Sequence, residues 1–405
     1  MTFLRSQNIH FDGLRLDDVV YISEATHRDM RGTRVKPGDV LLNITGASLG
    51  RVSRAPEDLG EANVNQHVCI IRPTTEANDK YLTYALSSHP IQEQISELQV
   101  GGNREGLNFE QVGNLIVPAA PAEEQRRIAD FLDAETARLG NLVSLRSRQR
   151  ALIAERAVAA VSEVLIPGIL KSPAGVGPYP WLPPLEGIPL VKIGHVSRLR
   201  PGISPSTLPR GGDDDVQRPF LQISNVQAGR LRLNSVSEVT IARSTVKRTS
   251  LHFGDVLTTR VGDPDKLGRA AVWVNQIKDC LFESNIFALR PDGEKIDPRY
   301  LAMMTRTVHG RCYFESTGFK TTGLASTNTG KVLGFPVPLP DVQRQRDLVR
   351  QVEKVDFALD SLTTLIDRQL ILIAERRQAL ITAAVTGQFD VSTASGRNVT
   401  DGVTA

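Results

Sequence analysis

The pentapeptide LIAER at residues 152–156 recurs at residues 372–376, and it is the longest match of an internal repeat that decides the fold. Seven shorter matches lie in the same order at offsets of 216 to 220 residues. They are Phe3-Leu4 with Phe220-Leu221, Gly38–Leu41 with Gly254–Leu257, Leu49–Arg51 with Leu267–Arg269, Arg72-Pro73 with Arg290-Pro291, Tyr81-Leu82 with Tyr300-Leu301, Val117-Pro118 with Val337-Pro338, and Gln125-Arg126 with Gln345-Arg346. So many ordered matches at a nearly constant offset exceed chance, and they indicate two related halves.

Each half begins with short apolar segments bounded by Gly, Pro or Asn, which predict strands, and ends in a long helical pattern. The predicted fold class is α+β, with two strand-rich domains in tandem separated by two long helices. The predicted boundaries are a first domain at 1–121, a first helix at 122–165, a linker at 166–187, a second domain at 188–340, a second helix at 341–390 and a disordered tail at 391–405.

Apolar residues in both helical stretches are spaced three and four residues apart, which is the seam of a coiled coil. The seam residues are Leu348, Val352, Val355, Leu359, Leu362 and Ile366 in the second stretch, and Ile128, Leu132, Leu139 and Leu142 around Glu135 in the first. A helix of about 40 residues extends roughly 60 Å. We expect the two helices to pair antiparallel and so cover their seams; the alternative is that each helix packs on its own domain.

Composition points to a soluble globular protein and excludes several functions. The chain has 405 residues, which suggests about two domains, and a formal net charge of +3. No apolar run is long enough to span a membrane, and the N-terminus has no secretory h-region. The three cysteines form no CxxC pair, which excludes a cysteine-only zinc site and a disulfide framework and fits a reducing cytoplasm.

A proline-marked connection leads into each predicted helix. The first reads VPAAPAEEQRRIADFLD at residues 117–133, and the second reads VPLPDVQRQR at residues 337–346. Together with the LIAER and GDVL repeats, these segments resemble the specificity subunits of type I restriction–modification systems. The resemblance extends over residues 3–390, nearly the whole chain.

The resemblance implies that the strand-rich domains are target recognition domains, each reading one half of a bipartite double-stranded DNA sequence. It also implies that the seam helices act as a spacer and as the docking surface for two methyltransferase subunits, which a motor-nuclease (restriction) subunit can join. The chain itself would be non-catalytic and without a cofactor. S-adenosylmethionine, and ATP with Mg²⁺ where a motor-nuclease is present, would be held by partner subunits.

The two halves differ at their starts. In the second half 32 residues, from Ile188 to Pro219, precede Phe220, whereas two residues precede the equivalent Phe3. We therefore expect the first domain to lack about 30 residues, including an opening strand, through either a misassigned start codon or gene decay. Loss of that strand would expose a sheet edge.

The charge pattern favours DNA binding by the second domain, because residues 179–340 carry 21 Lys/Arg and 14 Asp/Glu, whereas residues 3–121 carry 11 and 15. Glycine-flanked loops with a central cation suit phosphate contacts, and Gln or Asn side chains suit base edges. The candidate DNA-binding residues form three groups. The first is Asn103 and Arg104 in one loop with Lys320, Thr321 and Thr322 in the equivalent loop of the second half. The second is Arg260, Lys266 and Arg269 with Arg51, the counterpart of Arg269 in the first half, and the third is Gln222 and Asn225.

Enzyme motifs are absent from the sequence. It has no Asn-Pro-Pro-aromatic motif for adenine methylation, no phosphate-binding loop of the GxxxxGK[ST] type and no histidine pair at metal-ligand spacing. No metal site is predicted. The alternatives to a specificity subunit are a coiled-coil assembly scaffold, or a decayed specificity subunit in which only the second half reads DNA.

Overall fold

The structure, a computed structural model, describes residues 1–99, 106–171, 178–204, 214–263, 266–321 and 324–393. The chain divides into two compact units. The first comprises Met1–Arg148 with Ile366–Ala405, and the second comprises Gln149–Leu365. Each unit therefore combines one strand-rich part with portions of both long helices.

The strand-rich part of the first unit has short strands and helices. Its strands are β1 Thr2–Leu4, β2 Ile9–His10, β3 Gly13–Leu14, β4 Val20–Tyr21, β5 Arg34–Val35, β6 Val40–Asn43, β7 Val52–Arg54, β8 Ala62–Val64 and β9 Val68–Ile71. Its helices are α1 Glu24–Asp29, α2 Asp79–Ser87, α3 His89–Glu97 and α4 Phe109–Gly113, and the long helix α5 Ala122–Leu165 follows.

The second unit repeats this order with longer strands. Its strands are β10 Leu190–Lys192, β11 Ser197–Pro201, β12 Asp215–Leu221, β13 Val226–Gln227, β14 Arg230–Leu231, β15 Ser237–Ala242, β16 Val256–Thr259, β17 Val261–Gly262, β18 Ala270–Val272, β19 Leu281–Phe282, β20 Ile286–Pro291, β21 Phe319–Thr321, β22 Leu324–Ser326 and β23 Pro336–Pro338. Its helices are α6 Arg243–Thr249, α7 Pro298–Arg306, α8 Val308–Thr317, α9 Thr329–Leu333 and α10 Val342–Val385.

The central sheets of the two units correspond, but one has an extra strand. In the second unit the antiparallel order is β11-β20-β16-β18, and in the first it is β7-β6-β9. Leu41 of β6 lies opposite Ile70, and Leu257 of β16 lies opposite Ala288, so the register is the same in both copies. Among the described residues of the first unit, no strand lies at the place of β11.

The repeated Gly-Asp-Val-Leu element begins the central strand of each sheet. Gly38 and Gly254 have φ angles of 80° and 84°, a left-handed conformation that favours glycine, and they form the turn before the strand. The next residue, Asp39 or Asp255, is buried and accepts hydrogen bonds from an arginine: Arg72, directly after the neighbouring strand β9, or Arg290, near the end of the neighbouring strand β20. The motif therefore forms a turn, supplies the acid of a buried ion pair and begins a core strand.

The repeated Gln-Arg element fixes the start of each long helix. Gln125 Oε1 accepts from the Asn78 amide at 2.8 Å, and Gln345 Oε1 accepts from the Asp297 amide at 2.9 Å. Each glutamine also donates through Nε2 to a carbonyl in the proline connection, that of Ala120 or Pro340. These bonds tie each helix to the short helix that follows the central sheet.

Both long helices have 44 residues. In the first unit Ile128, Ala129 and Leu132, near the start of α5, form a buried cluster with Leu380 and Ile381, near the end of α10. In the second unit the opposite portions share a core, which includes Val161, Leu165, Leu348, Val349 and Val352. Within each unit, one helix therefore contributes its beginning and the other its end.

Burial departs from the predicted seam at two residues. Leu142 is 40% exposed and Leu362 is 48% exposed. After Leu359 the next half-buried residue is Thr363, four positions on, and the buried Ile366 follows three positions later. The prediction placed Leu362 three positions after Leu359 and Ile366 four positions later. Leu359 and Val355 are half-buried, whereas Ile128, Leu132, Leu139, Leu348, Val352 and Ile366 are buried.

The predicted linker and tail both contain packed residues. Ile166 and Ile169 are buried in the core of the second unit, against which Tyr179, Trp181 and Leu182 also pack. The second helix ends at Val385 rather than at 390, and residues 391–393 form a 3-10 turn whose Val391 packs on the cluster around Leu132. The rest of the predicted tail lies outside the described residues.

A buried histidine in the second unit leads to a pH prediction. His309 is fully buried, accepts from Trp181 Nε1 at 2.9 Å through Nδ1 and donates from Nε2 to the Pro336 carbonyl at 2.6 Å. Burial lowers its pKa to about 4, so the folded ring is neutral. The unfolded chain takes up the proton near pH 6.5, so this stabilisation is complete above that pH and is lost as the pH falls towards 4.

Between pH 7.5 and pH 4.5 the unfolding free energy of the wild-type protein falls partly because of His309. We expect this fall to be about 2–3 kcal/mol smaller in His309→Gln. Urea denaturation of both proteins at the two pH values measures this difference. His195→Gln, at an exposed histidine, is the matched control and should retain the wild-type pH dependence. An equal pH dependence in the His309→Gln protein would contradict the prediction.

Candidate nucleic-acid interface

Two of the predicted DNA-binding segments in the second unit meet in one small sheet. Its order is β17-β22-β21, and the turn of chain before β17 carries Arg260 while β21 carries Lys320. The Thr327 amide, just after β22, donates to the Arg260 carbonyl at 2.8 Å and holds the two segments together. Arg260 and Lys320 are both exposed, so the sheet presents two cations to solvent.

The side chain of Arg260 is the exposed member of its segment. Thr258 and Thr259, which precede it, are buried in the central sheet. The Arg260 guanidinium lies 5.9 Å from the ring centroid of Phe287 and gains a cation–π contact. The buried ring of Phe287 therefore supports the guanidinium group, and the exposed side chain remains accessible to a phosphate.

The two lysines near this sheet each have an acidic neighbour. Lys320 Nζ lies 3.5 Å from Glu315 Oε1, and Lys266 is hydrogen-bonded to Asp263, which lowers the pKa of that carboxyl group. Such exposed pairs contribute little to stability, and an approaching phosphate can replace the carboxylate as the partner of the cation. Thr322 and the side chain of Thr321 lie outside the described part of the chain.

Arg269 links this region to the third predicted segment. Its guanidinium lies 3.5 Å from Gln227 Oε1, in the hairpin β13–β14 that follows Gln222. Gln222 is exposed and remains a candidate for base contact. Arg269 is half-buried, which fits a positioning role at least as well as a DNA contact.

Asn225 is incorrectly placed among the DNA-binding candidates. Its side chain is buried, its Oδ1 accepts from the Gln222 amide at 2.8 Å, and its Nδ2 donates to the carbonyls of Arg232 and Ser235. Asn8 makes the equivalent bonds to Arg5 and Arg15. The repeated asparagine closes a turn, and no polar atom of Asn225 is left to meet a base.

In the first unit Arg51 lines an open groove of about 420 Å³. Ser6 and Gln7, Thr45 to Ser48, and His67 form the other walls. Thr45 Oγ1 lies 2.6 Å from His67 Nδ1, and Thr45 pairs with Gly106 across an isolated bridge. The predicted loop residues Asn103 and Arg104 lie outside the described residues, but Gly106, directly after them, is anchored beside this groove.

The structure adds residues that the sequence analysis did not select. Phe319 is exposed beside Lys320, and Lys331 Nζ lies 3.3 Å from its ring centroid while donating to the Thr317 carbonyl. An exposed aromatic ring beside a lysine ammonium group can pack against a sugar or base. His67 also lines the groove beside Arg51, and no motif in the sequence indicates it, because it belongs to no histidine pair.

Within the described ranges, no group of three His, Cys, Asp or Glu side chains could hold a metal ion. Burial raises the pKa of Cys69, of Cys312 and of Cys280, the last to about 12, so all three thiols are protonated at neutral pH. The part of the chain that the structure describes has no helix both long and apolar enough to cross a bilayer.

The family model of the type I restriction modification DNA specificity domain matches residues 29–141, which carry Arg51, most of its groove and the start of the first long helix. Over most of its length the chain is similar to type I restriction enzyme specificity subunits. It is 20% identical over 399 residues to the type I restriction enzyme StySPI specificity subunit of Salmonella potsdam, covering 96% of this chain and 82% of that protein.

Similarity to a second specificity subunit and to a solved structure extends over the same span. The chain is 22% identical over 398 residues to the EcoKI specificity subunit of Escherichia coli K12, again covering 96% of this chain and 82% of the relative. A chain from a structural study of complex assembly and conformational transition in the type I R-M system matches with a TM-score of 0.69. It is 17% identical and covers 96% of this chain and 92% of that chain, and the match shows a shared fold.

Proposed function

We propose that this specificity subunit reads a bipartite double-stranded DNA target, with one strand-rich part on each half-site. The observation that carries the proposal is the internal repeat: the same asparagine turns, aspartate–arginine pairs and helix starts recur in both units. Two similar readers in one chain suit a target made of two separated halves, as two subunits do in dimeric DNA-binding proteins.

We further propose that α5 and α10 pair as an antiparallel coiled coil that sets the distance between the half-sites. Support comes from each unit by itself: the start of α5 packs on the end of α10 in the first, and the end of α5 packs on the start of α10 in the second. A helix of 44 residues extends roughly 66 Å.

The partners in this proposal are two methyltransferase subunits, and a restriction subunit where the system has one. The exposed apolar residues on the long helices, such as Leu145, Phe357 and Ile371, offer contact surface for them. Adenine methylation would use S-adenosylmethionine on the methyltransferases, and ATP with Mg²⁺ would belong to a motor-nuclease. This chain would itself be non-catalytic and would act in the cytoplasm.

Methylation mapping of a whole genome tests the bipartite assignment. Long-read sequencing with the gene present, deleted and restored beside its methyltransferase is expected to show one two-part motif that disappears on deletion. A motif with one half only would favour the decayed-subunit alternative, which the net negative charge of residues 3–121 supports. Unchanged methylation would favour a scaffold.

The small sheet of the second unit yields a further prediction. We expect Arg260→Ala with Lys320→Ala to lower DNA affinity and to reduce the slope of log affinity against log salt by about two, one for each lost phosphate contact. Titration of a labelled duplex at several salt concentrations measures the slope. Lys247→Ala with Lys278→Ala removes two other exposed lysines and should leave it unchanged; equal effects of the two double variants would contradict the assignment.

A further inference from the structure

One segment of the second unit covers a sheet edge and a connection. Within residues 189–203, β11 pairs antiparallel with β20, placing Leu199 opposite Leu289, and β10 pairs antiparallel with β23, placing Val191 opposite Val337. Ile193 and Val196, between the two strands, are buried in the core of the unit. We call residues 189–203 the covering segment. It leads towards β12, the counterpart of β1.

The equivalent surfaces of the first unit have no such cover among the described residues. The strand β9, the counterpart of β20, pairs only with β6, so its outer edge is open. Residues 115–118, the counterpart of β23, form no strand. Ile116 is 77% exposed, whereas its counterpart Pro336 is buried.

The uncovered surfaces form an apolar groove of about 580 Å³. Its walls are the strand β9, the helix α4, the connection at Leu115 and Val117, and the α2 residues Leu82 and Leu86. Ile70 and Ile71 are half-buried, whereas their counterparts Ala288 and Leu289 are almost fully buried under the covering segment. The groove thus combines apolar walls with unpaired strand-edge groups, which suits an added strand.

The charged residues at the end of the groove also suit an added strand. In the second unit the buried Asp255 accepts from Arg290 and also from Arg200 of the covering segment, at 2.8 Å. In the first unit its counterpart, Asp39, is also buried, and among the described residues its arginine partner is Arg72. A cation at the place of Arg200 would complete the pair.

We propose that this groove is a strand-acceptor site, and that its occupant is an extended polypeptide segment with the chemistry of residues 189–203, two apolar residues followed by an arginine. The occupant pairs with the open edge of β9, places two apolar residues in the groove and presents an arginine to Asp39. Occupancy would complete the four-stranded sheet of the first unit without requiring DNA or a methyltransferase, so the proposal stands apart from the proposed function.

A fusion protein tests the site. The chain's own residues 188–219 are joined ahead of Phe3 in the full-length protein, and hydrogen exchange is followed by mass spectrometry. We expect the amides of β9 to exchange at least about tenfold more slowly than in the chain without the fusion, because new strand pairing protects them. The amides of β20, already paired on both sides, serve as the internal reference for correct folding.

The matched control fusion carries Ile193→Asp, Val196→Asp and Arg200→Ala in the added segment only. It has the same length but lacks the apolar and cationic groups, and it should leave β9 exchange as it is without a fusion. Equal protection by both fusions, or by neither, would overturn the proposal.

A second measurement does not depend on exchange. Ile116→Cys places an alkylatable thiol at the exposed connection, and we expect its alkylation rate to fall at least about tenfold when the intact segment is fused. The buried Cys280, which lies in the second unit, provides a slow reference site. An unchanged rate in a fusion whose β20 amides remain protected would show that the groove does not accept the segment.

Discussion

Replacing Val352 by aspartate is expected to lower the free energy of unfolding by about 4 kcal/mol, whereas replacing Leu362 by aspartate changes it by less than about 1 kcal/mol. Val352 is fully buried in the core of the second unit, with Leu348 and Val349 of its own helix and Val161 of α5. A carboxylate there would lie among these apolar side chains, and it must either remain desolvated or open the core. Leu362 belongs to the same helix, and 48% of its surface is exposed to solvent.

Chemical denaturation of the two single variants and the parent protein measures these values, and circular dichroism establishes that each variant folds. The pair is informative because both residues are apolar and both belong to the predicted seam. Equal losses would mean that Leu362 is buried in the folded protein and that the seam follows the predicted phase. A small loss for Val352→Asp would mean that the helices do not share a core with the strand-rich part.

Asp255→Ala is expected to cost about 3 kcal/mol of unfolding free energy, because it leaves two arginines of the central sheet without their common partner. Asp255 is fully buried and accepts from Arg290 through two nitrogens, from Arg200 and from the His252 amide. Arg290 and Arg200 are partly exposed, so water relieves some of the loss. The central strand would also lose the bond that closes its entry turn.

Thermal melting of Asp255→Ala beside Asp263→Ala separates buried from exposed pairing. Asp263 pairs with Lys266 at the surface, and its removal should leave the melting temperature nearly unchanged. Asp39→Ala in the first unit should lower the melting temperature less than Asp255→Ala does, since among the described residues Asp39 pairs with one arginine, Arg72. A larger fall in melting temperature for Asp39→Ala than for Asp255→Ala would contradict this order of stabilities.

The sequence predicted those features that repeat with a strong local signal. The two long helices begin where proline, acidic residues and a Gln-Arg pair stand together, and the structure places the helix starts there because each glutamine bonds across to a short helix. The seam phase was harder to predict. Leu362 is apolar and Thr363 is polar, so the sequence pattern cannot tell that Thr363 takes the half-buried position in place of Leu362.

The candidate site was predicted less well, because polar residues serve structure and recognition alike. Asn225 and Gln222 stand three residues apart in one turn, but the asparagine uses its amide on the backbone while the glutamine remains exposed. The nearness of Arg260 and Lys320 depends on the pairing of β17 with β22, which joins segments some 60 residues apart. No local pattern in the sequence encodes that contact.

The discontinuous make-up of the first unit has a consequence for how the protein is made. Ile128 and Leu132 are covered by Leu380 and Ile381, which leave the ribosome about 250 residues later. At ordinary synthesis rates this delay is roughly 10 to 50 seconds. During that interval the nascent chain carries an uncovered apolar helix face beside a finished strand-rich domain. We therefore expect chaperone dependence in the cell to concern the half that is synthesised first.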